Sequence, residues 1–280
     1  DHPLTWIIAL IAGLVLGAAI GALHGVIIAF LNVPSFIVTL GGLLVWRGAT
    51  WFVTSGRTVA PMDATFRLMG GGTDGSIGAT ASWGVGVIAC LAIVATLVNS
   101  RKQRRRFGFP LRPIWAEYFL AGVSCFLVLA TVYVFNNYPW PVAIARKFAD
   151  ANGIAWPDGG LFISHGIAIP VLIAIGVGIF MTFISTRLRF GRYVFAIGGK
   201  IFALMGMLCA IAAAISTARL NAATNAQGEL DELYTIAAAV IGGTSLSGGM
   251  GTVAGAMLGA LVMQSLQSGM VLVGIDTPFQ

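Results

Sequence analysis

Eight apolar runs constrain this chain more than any other feature. They lie at about 5–30, 36–55, 81–99, 115–135, 166–186, 201–217, 233–248 and 252–273. A helix needs roughly 20 apolar residues to cross about 30 Å of hydrocarbon. A spanning β-barrel shows instead ten-residue segments of alternating hydrophobicity, whereas these runs are unbroken stretches of Ala, Leu, Ile, Val and Gly. The expected fold is all-α, a polytopic transmembrane helix bundle with discontinuous helices, forming one transmembrane domain over residues 1–280. Composition agrees. Charged residues make up 9% of the chain and hydrophobic ones 58%, against about 25% charged in a soluble domain.

The formal net charge of +6 would suggest nucleic acid in a soluble protein. Here the basic residues cluster between apolar runs, as the positive-inside bias requires. The densest cluster, "RKQRRR" from Arg101 to Arg106, is assigned to the cytoplasm. Counting spans alternately, "RLRFGRYVFAIGGK" from Arg187 to Lys200 is cytoplasmic as well. The stretches near 56–80, 136–165 and 218–232 then face outward, and they carry Asp63, Asp74, Asp150, Asp158, Glu229, Asp231 and Glu232. Membrane lipid, not nucleic acid, is the expected surrounding. Within 136–165, Tyr138, Trp140 and Trp156 with Pro139, Pro141 and Pro157 predict interfacial aromatics and turns, and Val142 to Ala151 predicts a short amphipathic helix on the outer face.

Gly13, Gly17, Gly21 and Gly25 recur at four-residue spacing in the first run, and Gly251, Gly255 and Gly259 in the last. This spacing aligns flat spots on one helix face and permits close helix–helix approach. Cys90, Cys125 and Cys209 all fall inside apolar runs without metal-ligand spacing, so no metal is expected and the thiols read as small packing side chains.

Catalytic constellations are thin. His2, His24 and His165 are scattered, and the chain has neither an HExxH nor a GxSxG motif. The Gly-rich stretch "VIGGTSLSGGMG" (Val240 to Gly251) has hydroxyls but no lysine, and "GGK" at Gly198 to Lys200 is followed by Ile201. A phosphate loop needs Gly-x4-Gly-Lys-Ser/Thr. No nucleotide or other cofactor is expected on this chain, and the glycines read as a helix break and packing element.

Polar residues inside apolar runs are the better lead, because lipid makes them costly. Arg47 lies well inside the second run, where it pairs with an acid, lines an aqueous path or snorkels. His24 reads as a hydrogen-bonded packing residue, and Glu117 as an interfacial group at the cytoplasmic entry of its span. "NVPSFIVTLGG" (Asn32 to Gly42) interrupts helix at Pro34 and sets Ser35 and Thr39 one turn apart. Broken helix entries need a cavity or a protein partner and often border transport pathways. Candidate pathway residues are Asn32, Pro34, Ser35, Phe36 and Thr39, with Thr244 and Ser245 from the Gly-rich stretch.

"NVPSFIVTLGGLLVWRG", "GRYVFAIGG" and the C-terminal "ISTARLNAATNAQGELDELYTIAAAVIGGTSLSGGMGTVAGAMLGALVMQSLQSGM" resemble the membrane subunits of bacterial ATP-binding-cassette (ABC) importers for monosaccharides. "GELDELYTIAAAVIGGTSL" is most similar to the xylose branch. The resemblance covers most of the chain. It implies a non-enzymatic permease of the inner membrane, working as a homodimer with two ATPase subunits and a periplasmic sugar-binding protein. Mg-ATP would sit on the partner chain and a monosaccharide would cross at the dimer axis. It assigns ATPase coupling to the region of Arg187, Arg189, Arg192, Gly198, Gly199 and Lys200. In the family "AIGG" leads into a cytoplasmic helix with an "EAA"-like segment, so about twenty residues are expected between Lys200 and Ile201. Further spans are expected before Asp1 and beyond Gln280. The competing expectation is an ion-coupled secondary transporter or channel for a small polar solute, which needs an intramembrane acid.

Overall fold

The computed structural model describes residues 4–31, 33–72, 75–111, 113–151, 153, 157, 161–188, 202–245 and 250–274. Among them the elements are helical: α1 Thr5–Leu31, α2 Ser35–Thr54, α3 Ala64–Arg67, α4 Gly78–Arg106, α5 Ile114–Asn136, α6 Val142–Ala151, α7 Ile169–Arg187, α8 Phe202–Leu220, α9 Asp231–Ile241 and α10 Val253–Val273. Seven are long and apolar enough to cross a membrane: α1, α2, α4, α5, α7, α8 and α10. Of the remaining apolar run, 233–248, the described residues 233–245 belong to α9 and the turn after it. The 11 residues of α9 extend about 16 Å at 1.5 Å per residue, half a bilayer core. Gly242 follows the helix, and Gly243 takes φ +82, a conformation that ends helices and suits glycine.

The side chains point outward as a lipid solvent demands. Phe30 is 80%, Phe52 81% and Leu272 86% exposed, whereas the buried apolar residues are few and mostly alanine. Lipid is as apolar as leucine, so such helices associate through close packing of small residues and not through exclusion of large ones.

The chain divides into two compact units. The first comprises Asp1–Gly70 and Ile173–Gln280. Its principal contact is an antiparallel crossing of α1 and α8. A Cβ at Gly17 would overlap the Gly206 carbonyl oxygen, one at Gly21 the Phe202 carbonyl oxygen, and one at Gly206 the Gly17 carbonyl oxygen. Gly25 lies against the Phe202 ring. Gly13 departs from the expected stripe, for a Cβ there meets nothing within 4 Å: the two helices have diverged by that turn. The second tight pair is α9 with α10, where Gly242 faces Gly255 and Ala238 faces Gly259. Gly251 also differs from expectation. It precedes α10 and packs on the Thr244 side chain, while Thr252 caps the helix by accepting a hydrogen bond from the Gly255 amide.

The second unit is Gly71–Leu172, an α4–α5 hairpin with the segments that flank it. Gly86 packs on Val132, and Cys90 donates to the Cys125 carbonyl. The basic cluster forms the last turns of α4 and not a loop, which complements the negative end of the helix dipole. There Arg101 pairs with Glu117, so Glu117 sits at the interfacial end of its span. At the other end Ser82, fully buried, accepts from the Ile167 amide. The amphipathic helix expected over 142–151 is α6, with Ala145 and Ala149 on its buried side.

Candidate functional site

Pro34 N-caps α2 with φ −53 and ψ 132, after the three-residue break from α1. Proline fixes φ and restrains its predecessor away from helix, so the break is local chemistry. Beyond it Ser35, Phe36 and Thr39 are exposed. The Thr39 hydroxyl donates to the Ser35 carbonyl at 3.0 Å. Asn32 lies outside the described residues. So do Arg189, Arg192, Gly198, Gly199 and Lys200 of the coupling region; Arg187 is the last residue of α7. Thr244 and Ser245 sit in the turn after α9. Their amides donate to the Ala239 and Met250 carbonyls at 3.0 and 2.9 Å.

His24 of α1 accepts a hydrogen bond through Nε2 from the Trp46 indole at 3.1 Å, beside Gly42, where a Cβ would collide with the imidazole. The glycine makes room for the ring, and the bond ties α2 to α1. Trp46→Phe removes a net contribution of about 1 kcal/mol. Thermal denaturation of the purified protein should fall by a few degrees in this variant.

Arg47 presents the clearest polar feature. Its guanidinium meets both Glu229 oxygens at 2.9 Å, a bidentate pair with side chains 41% and 53% exposed. Planar two-bond recognition of this kind is strong and directional. It belongs to a ladder along α2. Asn225 contacts Thr54 at 3.4 Å, and Val59 and Ala223 exchange backbone hydrogen bonds at 3.0 and 2.9 Å. Gln227 donates to Thr217 of α8 at 3.2 Å. The segment 221–230 therefore runs antiparallel to α2, and Glu229, placed by the sequence among the acids of an outward stretch, is the acid that Arg47 pairs with. The one signal of this pairing was an acid in the stretch preceding a short apolar run.

A second polar cluster lies in the other unit. Asn136 Oδ1, Trp140 Nε1, Ser164 Oγ and His165 Nδ1 are buried without a hydrogen-bond partner among the described residues. Trp140 packs edge-on against His165 and Phe148. These atoms are closed to solvent, whereas the Arg47–Glu229 pair is open. Among the described residues no group of His, Cys, Asp and Glu could hold a metal.

Comparison with known proteins decides what this helical assembly is. The chain is 32% identical to the xylose transport system permease protein XylH of Escherichia coli (strain K12), over 99% of this chain and 67% of that protein. It is 34% identical to XylH of Haemophilus influenzae (strain ATCC 51907 / DSM 11121 / KW20 / Rd), over 98% and 70% respectively. The chain belongs to the family of ABC sugar-importer permeases. The ribose import permease protein RbsC of Bacillus subtilis (strain 168) is 29% identical over 95% of this permease and 87% of its own length. No family model and no solved structure matches the chain. As a family member the permease is a multi-pass protein of the bacterial inner membrane.

Proposed function

We propose that this permease is the membrane subunit of an ATP-driven importer whose cargo is D-xylose. The observation that carries the reading is the likeness, over 98–99% of this chain, to the two xylose permeases. The importer would pair two copies of this chain with two ATPase subunits and a periplasmic sugar-binding protein. Mg-ATP would bind the ATPase chains. Their closure would act on the region of Arg187 to Lys200 and rock the spans between inward- and outward-facing states. A neutral sugar needs hydrogen-bonding groups on its route rather than a charge, and Ser35, Thr39, Thr244 and Ser245 supply hydroxyls beside the broken helix ends.

An ion-coupled carrier requires an acid free to exchange a proton or bind sodium. Glu229 is engaged through both oxygens by Arg47, which favours the ATP-driven reading. Reconstituted with its ATPase and binding protein, the permease should take up xylose in preference to ribose, arabinose and galactose, with uptake abolished when ATP is withheld. Xylose uptake driven by an ion gradient without the ATPase would overturn the reading.

A further inference from the structure

The depth of the Arg47–Glu229 pair follows from helix length. The 20 residues of α2 span about 30 Å, the thickness of the hydrocarbon core. Arg47 lies seven residues before the outer end at Thr54, about 10 Å inside it. The segment that meets α2 descends with it. Ala223 pairs with Val59 beyond the outer end, Asn225 meets Thr54, and Glu229 meets Arg47. Residues 221–230 thus enter the membrane as irregular backbone, in successive turns closed by hydrogen bonds of 3.3 to 3.4 Å, such as those that the Gln227 amide donates to the Thr224 carbonyl and the Glu229 amide to the Ala226 carbonyl. Leu230 at φ +68 then starts α9, whose length of about 16 Å covers most of the remaining depth of about 20 Å. The eighth crossing is therefore composite, irregular in its outer third and helical below it.

Lipid tolerates neither irregular backbone nor an open charge pair. Non-helical backbone at membrane depth occurs where it is buried in protein or lines a water-filled cavity, and intramembrane charges face bundle interiors or such cavities. Arg47 and Glu229 are 41% and 53% exposed, so burial within this chain does not account for them. The side of α2 that carries Arg47 is mixed, its polar residues interspersed with Phe36, Leu43, Trp46 and Val53. At about 100° per residue, Ser35, Thr39, Arg47, Thr50 and Thr54 fall within an arc of roughly 120°. The Thr50 and Thr54 hydroxyls donate back to the Trp46 and Thr50 carbonyls at 2.8 and 2.9 Å. Such back-bonding makes threonine acceptable in lipid, so the threonines alone decide nothing. The ion pair and the irregular segment do.

We propose that the Arg47–Glu229 pair, the neighbouring Thr50 and Thr54 of α2 and the segment 221–230 form the wall of a water-filled conduit in the outer half of the membrane, whose cargo is a monosaccharide. The identity of the cargo rests on the importer reading, but the wetness of the wall does not. Guanidinium and carboxylate locked together are electrically balanced, yet they leave donor and acceptor edges open to sugar hydroxyls. The pair gives polarity without a net charge that would attract ions.

The test is thiol accessibility in the full-length permease, in membranes, with Cys90, Cys125 and Cys209 replaced by alanine. Single cysteines are placed at Thr50→Cys and Asn225→Cys on the proposed wall. Leu44→Cys and Phe52→Cys are placed on other faces of α2; Leu44 and Phe52 are 69% and 81% exposed. A charged, membrane-impermeant methanethiosulfonate added from the outer side should modify the two wall cysteines at least tenfold faster than the two controls. Modified Thr50→Cys should then lose most ATP-dependent uptake. Equal, slow labelling at all four sites would overturn the conduit, as would a spontaneous Thr50→Cys disulfide between two copies without reagent access, which marks a dry interface. ATP-dependent uptake by the cysteine-free chain is measured in parallel. Fast wall labelling without such uptake sinks the importer reading and leaves the conduit standing; uptake without wall labelling does the reverse.

Discussion

Gly206→Leu should prevent the permease from accumulating in folded form. Gly206 stands where α8 crosses α1, and a Cβ there would already occupy the space of the Gly17 carbonyl oxygen. Backbone cannot rotate aside as a side chain does, so the helices must separate along the whole crossing. Separation also costs the contacts of Gly21 with Phe202 and Ala203, since close approach is what holds membrane helices together. Overpacking of this kind costs roughly 3 kcal/mol at the upper end of its usual range, about a hundredfold in a folding equilibrium. Gly13→Leu is the matched control: the same substitution on α1, where a Cβ meets nothing within 4 Å. Detergent-solubilised Gly206→Leu should be aggregated or absent by size-exclusion chromatography, and Gly13→Leu should elute like the parent. Two normal elution profiles would mean that the α1–α8 crossing does not hold the unit together.

The contrast between those two positions shows how far a sequence pattern reaches. Four-residue spacing of glycines announces a face that permits close approach. It does not say where along that face the partner helix crosses, because the crossing is set by the other helix. Gly206 is the partner's contribution, and it heads a stripe of small residues on α8, Gly206, Ala210, Ala214 and Ala218, in which it is the one glycine. The spans themselves were legible because solvent dictates them: an apolar run of bilayer length has one stable conformation in lipid. The break at Pro34 and the helix over 142–151 were legible because their causes are local.

The Arg47–Glu229 pair was not legible for the opposite reason. Its partners are 182 positions apart, and the acid sits in a stretch that composition assigns to an outer connection. Alternating counts of spans treat each apolar run as a whole crossing. The run 233–248 is instead half a crossing, completed by polar sequence before it. No hydropathy profile distinguishes such a run from a short span, since the helix is ended by the turn at Gly242 and Gly243, and Gly242 packs there against Gly255.

The close approach of Gly242 and Gly255 makes Gly255→Leu the sharper probe of transport. A Cβ at Gly255 would overlap the Gly242 carbonyl oxygen and press on the Thr252 hydroxyl that caps α10. A leucine must therefore lever α9 away from α10 and weaken the cap, a loss of about 1 kcal/mol by itself. Movement of α9 is transmitted to its start, where Leu230 joins it to Glu229 and thereby to Arg47. The variant should lose most sugar uptake, at least tenfold, even where enough protein folds to be measured. Gly269→Leu, on the same helix but with nothing within 4 Å of a Cβ, should retain uptake. Uptake is normalised to the folded permease in the membrane, which separates transport from yield. A Gly255→Leu protein that transports normally per folded molecule would show that α9 and the segment 221–230 are not coupled to the route. Loss equal to that of Gly269→Leu would show that α10 tolerates leucine equally on both faces, and that the close approach of Gly242 and Gly255 carries no function.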